Sequence, residues 1–342
     1  MPDRNLLVFA AAGASKAVNR DKFPTTVEFF QQLPSEITNN TFFLYVHKYL
    51  TNIEKIEIID IEQILWSLKN LSNFYGSIKS PSDIVGFAIH NGLTARIVNG
   101  GNDGNLPGSA HNLKLSVDNL ISEINEKVYQ LYAYEPDESE LADNWIALLN
   151  SITKSKLAFD IFSTNYDAII ECALGFAYTE KDSRSFQGIK GIQRKELDLK
   201  RWTEKSSDKN GLLTKLHGSI DWKIQSNHIY VGDAIFTGDH DKHAIVYPGF
   251  KGRSDIEFFR EFHDYFEEKL SSATHLLFIG FAFRDEYINQ IIRENISTDA
   301  QVIVVNPDKS VKFPALRHRN LKYLHEYFDL SSVVSITNLF KI

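Results

Sequence analysis

The stretch Asn5-Leu-Leu-Val-Phe-Ala-Ala-Ala-Gly-Ala-Ser15 decides the fold. Its unbroken apolar run, Asn5 to Ala12, reads as a strand buried on both faces, and Gly13-Ala14-Ser15 offers a tight turn of very small side chains. A helix is expected from Thr26: Thr25-x-x-Glu28 fits a capping box, Val27, Phe29 and Phe30 begin an apolar face, and Pro34 ends the segment. Strand, small-residue turn and helix in that order open a parallel sheet.

Further strands fit the same architecture. Leu157 to Ser163, Leu212 to Leu216, Leu276 to Phe281 and Gln301 to Val305 are short apolar runs. Helical periods lie between them, with Phe258, Phe259, Phe262, Tyr265, Phe266 and Leu270 on one face of a helix, and a second helix over Asp285 to Asn295. Parallel neighbours need crossovers that pack back on the sheet, so the fold class is α/β, a Rossmann-like, doubly wound, mostly parallel sheet. Ile220 to Trp222, His228 to Val231 and Ala244 to Tyr247 suggest a small hairpin region beside it.

Residues 35–153 have a different texture. Ile61, Ile64, Leu65, Leu68 and Leu71 share one helical stripe, Leu113, Val117, Leu120, Ile124, Val128 and Leu131 another, and Leu141, Trp145, Leu148 and Ile152 a third. Between the first two, Asn99 to Gly108 is too rich in glycine and asparagine for regular structure. The expected organisation is a catalytic domain made of residues 1–34 and 154–308, an inserted helical module over 35–153, and a C-terminal tail over 309–342 whose pattern declares no element.

The totals agree with a folded globular chain. It has 342 residues, 43% apolar and 24% charged, enough for about two domains. A formal net charge of −7 disfavours nucleic acid and anionic membranes as direct partners. The single cysteine, Cys172, excludes an internal disulfide and a multi-thiolate zinc cage and suits a reducing, cytoplasmic setting. Leu6 to Ala12 after Arg4 also mimics a short signal peptide, but Asp3 precedes it and a buried strand accounts for it better. Neither that run nor Leu276 to Phe283 approaches the roughly 18 residues needed to cross a bilayer.

Ligands of open parallel sheets gather beyond the carboxyl ends of the strands. Five such ends carry chemistry here: Ala11-Ala-Gly-Ala-Ser15, Ser163-Thr-Asn-Tyr-Asp167, Lys215-Leu-His-Gly218, Gly280-Phe-Ala-Phe-Arg-Asp285 and Asn306-Pro307. Each alone is a weak signal, since Gly13 belongs to no full G-x-G-x-x-G fingerprint. In this order they resemble the sirtuin family, and more closely the sirtuin-like NAD hydrolases of bacterial anti-phage defence. The resemblance covers residues 5–34 and 157–308, with Asp60-Ile-Glu62-Gln-Ile-Leu65 a loose match in the insertion. Ala11 stands where the family has its first glycine, and Ala282 where a serine is common. Residues 218–280 contain none of the four zinc-ribbon cysteines of the deacylating sirtuins, so no zinc or other metal is expected.

The resemblance implies that NAD is the substrate and that its nicotinamide–ribose bond is cleaved to nicotinamide and ADP-ribose. Such cleavage develops oxocarbenium character at the ribose. Asn165 would then hold the nicotinamide ribose or the attacking water through its amide, His217 would touch a ribose hydroxyl as general base, and Asp167 would orient Asn165 or the ribose. Ala11, Ala12, Gly13, Ala14 and Ser15 would admit the pyrophosphate to backbone N–H groups, with Thr164 beside them. Gly280 and Asn306 would frame the adenosine half, with Phe281, Ala282 and Asp285 as further cofactor-binding candidates. The resemblance further implies a gated effector that depletes NAD, working as a homo-oligomer or with a separately encoded ATPase, Argonaute-like protein or phage component. The alternatives are a deacylase or ADP-ribosyl transferase, and a non-catalytic module sensing NAD or ADP-ribose.

Other features have simpler readings. Asp239-His-Asp-Lys-His243 is a solvated turn rather than a metal site, and Arg317-His-Arg319 with Lys322 a solvated edge or partner contact. The phenylalanine stripe reads as core and Cys172 as buried and inert.

Overall fold

The computed structural model describes residues 5–77, 110–155, 157–177, 195–196, 213–225, 228–231, 243–245, 257–315 and 320–342. Asn99 to Gly108, Asp239 to Lys242 and Arg317 to Arg319 lie outside them. In chain order the strands are β1 (Asn5–Ala10), β2 (Ala158–Ser163), β3 (Lys195–Glu196), β4 (Leu213–Lys215), β5 (Gly218–Gln225), β6 (His228–Val231), β7 (His243–Ile245), β8 (His275–Ile279), β9 (Gln301–Val305) and β10 (Leu321–Leu324).

Six of these form one sheet in the order β10-β9-β8-β1-β2-β4, parallel at every pairing. The chain leaves β1 outward through β2 to β4, returns to β8 on the other side of β1, and moves outward again. This is the doubly wound arrangement that the apolar runs imply, and its topological switch point lies between β1 and β8. Leu6 to Ala10 are buried, and Ala10 stands opposite Ser163 on one side and Ile279 on the other. The hairpin region forms a separate antiparallel sheet, β3-β6-β5-β7.

The helices are α1 (Ala12–Val18), α2 (Thr26–Gln31), α3 (Ser35–Thr38), α4 (Thr41–Asn52), α5 (Ile61–Ser77), α6 (Ala110–Tyr132), α7 (Glu138–Leu141), α8 (Ala147–Ser155), α9 (Ile169–Ala177), α10 (Glu257–Ser272), α11 (Glu286–Asn295) and α12 (Leu330–Phe340). Phe259, Phe262 and Phe266 of α10 are buried with Phe9, Phe162 and Phe278 of the sheet, so the stripe is core. The ring of Phe9 lies 5.4 Å from that of Phe266 and 4.8 Å from that of Phe281.

Three expectations need correction. Gly13-Ala14-Ser15 is not a turn ahead of a distant helix: α1 begins at Ala12, directly after Ala11 in extended conformation, because alanine is the strongest helix former. The helical period through Leu141, Trp145, Leu148 and Ile152 is interrupted by a π-helical turn over Ala142–Ile146, although all four side chains stay buried. The tail after Lys309 carries two elements among its described residues: β10 extends the parallel sheet, and α12 follows behind a capping box at Asp329.

The chain divides into two compact units, Met1–Thr25 with Gln130–Val246 and Phe250–Ile342, and Thr26–Tyr129 with Tyr247–Gly249. In the second, Ile61, Ile64, Leu65 and Leu68 of α5 are buried, and α4 presents Phe43, whose ring stacks 5.9 Å from that of Phe30. The first unit holds both sheets.

At the switch point two backbones touch. The Gly13 N–H donates to the Gly280 carbonyl at 3.1 Å, and Gly280 has φ +64°. A Cβ on Gly13 would lie 2.6 Å from the Gly280 Cα, and one on Gly280 would lie 2.2 Å from the Ala14 nitrogen. Backbone on both sides leaves no room for relief, so Gly13→Ala and Gly280→Ala should each lose about 1–3 kcal/mol in chemical denaturation. Gly175→Ala, in α9 with nothing within 4 Å of the new methyl, should instead gain about 0.5–1 kcal/mol.

Candidate active site

The carboxyl ends of β1, β2, β4, β8 and β9 align along one edge: Ser163 stands opposite Lys215, and Ile279 opposite Val305. The segments that follow them meet there. Thr164 donates from its backbone to the Ala10 carbonyl at 3.2 Å, Leu216 to Ser163 at 2.8 Å, and Gly280 to Val305 at 2.9 Å. Asn165 and His217 therefore sit just past the ends of adjacent strands.

Ser15 is the hub of the first half. Its hydroxyl donates to Asp167 Oδ2 at 2.7 Å and accepts from Asn165 Nδ2 at 2.7 Å. A hydroxyl has one proton; with that proton on the carboxylate, Ser15 can take only an N–H from the amide, which turns Asn165 Oδ1 away as an available acceptor. The Asn165 backbone N–H is held by Ser163 Oγ at 3.0 Å, and the side chain is only 7% exposed.

Beneath this hub lies a buried ion pair that no local sequence pattern announces. Lys215 Nζ lies 2.9 Å from Glu171 Oε1 and 2.9 Å from Ser219 Oγ, and also donates to the carbonyl of Asp167. The ammonium thus clamps the loop that carries Asn165 and Asp167. Burial pushes the Asp167 carboxyl up, and Lys215, the Ser15 hydroxyl and the Ile169 N–H only partly counter it. The available signal was a lysine closing an apolar strand and a glutamate inside the apolar phrase Ile169-Ile-Glu-Cys-Ala-Leu174. Cys172 beside it is half-buried rather than buried.

The second half is His217 with Asp285. The Nε2 atom of His217 lies 3.3 Å from Asp285 Oδ2, with side-chain exposures of 6% and 12%. Asp285 Oδ1 accepts the Ile288 N–H at 3.0 Å and so caps α11. Burial pushes the Asp285 carboxyl up, but the His217 contact and the Ile288 N–H outweigh it and hold it below the usual range. The turn before Asp285 carries Phe283 at φ 53°, restrained by Asn289 Nδ2 donating to its carbonyl at 2.8 Å.

The remaining expected residues divide by role. Ala11 donates to Ile279 O at 3.0 Å and Ala14 to Ala11 O at 2.7 Å, so the N–H groups of Ala11, Gly13 and Ala14 already have protein acceptors. What these residues and Ala12 give the site is close backbone approach. The Phe281 ring belongs to the core, whereas Ala282 is exposed. Asn306 Nδ2 donates to the Phe281 carbonyl at 3.1 Å, tying the ends of β8 and β9 together. Among the described residues no group of three or more His, Cys, Asp or Glu side chains could hold a metal ion, and no helix is long and apolar enough to cross a membrane.

Fold and site together define a doubly wound α/β protein with a cluster of polar side chains past the strand ends at its switch point. A SIR2-like domain family model matches residues 160–328, a span that contains Asn165, Asp167, His217, Gly280, Asp285 and Asn306. Similar solved structures include a Sir2 homologue in complex with NAD, at 10% identity over 98% of this chain and 90% of that one, TM-score 0.43. A mutant Sir2 homologue in complex with ADP ribose has 11% identity over 98% and 92%, TM-score 0.42. Likeness at that level carries no functional weight. No curated protein matches the chain.

Two measurements check these electrostatics. Lys215→Met should cost about 3–5 kcal/mol in denaturation because Glu171 is left charged and buried, and adding Glu171→Leu should recover part of the loss. For Asp285, a folded pKa below the unfolded one means stability present above the ordinary carboxylate range and lost as pH falls through the folded value. Asp285→Asn should therefore show a flatter loss of stability on acidification than the wild type in denaturation series between about pH 6 and 3.

Proposed function

We propose that the chain is an NAD glycohydrolase that releases nicotinamide and ADP-ribose. The observation that carries this reading is the Ser15–Asn165–Asp167 network at the end of β2, next to the strand end bearing His217. The SIR2-like match over residues 160–328 supports it. A ribose offers hydroxyls that need acceptors, and Asn165 Oδ1 and an imidazole nitrogen are the groups this edge leaves for them. As the ribose C1′–N bond breaks, its electron pair neutralises the pyridinium of departing nicotinamide. Water adds at C1′, and its proton passes to His217 and then to solvent.

Ser15 holds the carboxamide of Asn165 so that its oxygen faces the ribose or the water. Asp167 acts through Ser15 rather than on the substrate. The pyrophosphate would approach the small residues Ala11 to Ala14, and Gly280, Ala282 and Asn306 would border the adenosine half. Hydrolysis is favoured over acyl-lysine chemistry because residues 218–280 have no cysteine for a zinc ribbon. Unchecked NAD loss would harm the host, so the same proposal includes gating, by self-assembly or by a separately encoded ATPase, Argonaute-like protein or phage component, in a cytoplasmic anti-phage role.

Incubating the chain with NAD, alone and with proteins encoded by neighbouring genes, and separating the products should show equimolar nicotinamide and free ADP-ribose. Asn165→Ala and His217→Ala should each slow release by about 100-fold or more. Undiminished release by both variants, or acetyl-ADP-ribose as the product when acetylated peptide is supplied, would overturn the reading.

A further inference from the structure

Asp285 Oδ2 is fully buried and makes no hydrogen bond of good geometry among the described residues, while its sister oxygen caps α11. A buried carboxylate oxygen strongly demands a donor. The donor within reach is His217 Nε2, at 3.3 Å. The cap fixes the carboxylate from one side, and the strained turn at Phe283, tied by Asn289, fixes it from the other. The ring is thus met by an acceptor that cannot rotate away.

We propose that Asp285 is a positioning residue that fixes the tautomer of His217, with the proton on Nε2 and the lone pair on Nδ1, making Nδ1 the atom that accepts a proton during turnover. A neutral imidazole has one donor and one acceptor nitrogen, and the partner of one decides the role of the other. The charged or titratable groups that act on this carboxylate are His217 and, from α10, His263. The tautomer rests on the 3.3 Å approach of Nε2 to a buried carboxylate oxygen that needs a donor; its consequence for nicotinamide release rests on the hydrolase reading above. In that reaction Nδ1 takes the proton of the water that adds at C1′, as the electron pair of the broken C1′–N bond leaves with nicotinamide.

Asp285→Asn is the discriminating change. Asn and Asp are equivalent N-caps, so the amide oxygen stays on the Ile288 N–H. The amide nitrogen then replaces Oδ2 and offers Nε2 a donor, which forces the proton to Nδ1. Shape and cap survive while the base is inverted.

The test is side-chain ¹⁵N NMR of histidine-labelled full-length protein above the imidazole titration range, with His217→Gln assigning the resonance. The wild type should show His217 protonated at Nε2, and Asp285→Asn should show it protonated at Nδ1 with a cooperative unfolding transition retained. A wild-type proton on Nδ1, or the same tautomer in both proteins, overturns the proposal. In nicotinamide-release kinetics Asp285→Asn should lower kcat by about 100-fold or more with KM within about threefold, and an unchanged kcat with an inverted tautomer overturns the positioning role. A wild type that releases no nicotinamide with any partner removes the hydrolase reading, and the spectra still decide the tautomer.

Discussion

Gly13 and Gly280 bring two turns into backbone contact where the sheet reverses its winding, and both halves of the candidate site hang from that contact. Ser15 follows Gly13 by two residues on α1, and Asp285 follows Gly280 by five at the start of α11. Neither glycine has room for a methyl group, so the spacing between the two segments is set by main-chain atoms. Ser15 then has to reach Asn165 and Asp167 at 2.7 Å each, a tolerance that a slipped turn would exceed. The backbone contact fixes positions to which the polar groups merely respond.

Holding those groups has a thermodynamic cost. Asp167, Lys215 and Glu171 are all withdrawn from water, and burial alone disfavours each charge. Their stability is collective: Lys215 answers Glu171, Ser219 and the Asp167 carbonyl with its three protons, and the loop carrying Asn165 cannot shift without breaking that arrangement. Buried ion pairs are often no more stabilising than apolar packing of the same volume, so what this network visibly adds is directional contact that ties the loop to β4.

Much of this was legible in the chain. Short apolar runs such as Leu6 to Ala10 and Leu276 to Ile279, bounded by small or polar residues, fit buried strands, and Asn165, Asp167, His217 and Asn306 stand out as polar groups just after such runs. What escaped is what only tertiary structure supplies. The partnership of Lys215 with Glu171, and of His217 with Asp285, joins residues far apart in sequence, which no local period records. The very small side chains of Gly13-Ala14-Ser15 suit a tight turn, whereas in the fold Gly13 lies inside α1 in contact with Gly280. Strand β10 was hidden because Leu321-Lys-Tyr-Leu324 lies at the sheet edge, half-buried and without a long apolar run.

The two buried carboxylates are pushed in opposite directions. Asp167 is driven up by burial, while Asp285 is held down because its contact with His217 and its helix cap outweigh burial. Environments that separate like groups in this way usually separate their roles. Asp285, kept ionised beside an imidazole, can stabilise the cation that forms when His217 takes a proton. Asp167 has no such neighbour on its side chain; its oxygens are spent on the Ser15 hydroxyl and the Ile169 N–H. On the proposed hydrolysis, proton transfer therefore belongs to His217 and Asp285, after β4 and β8, while Ser15 and Asn165, after β1 and β2, supply position.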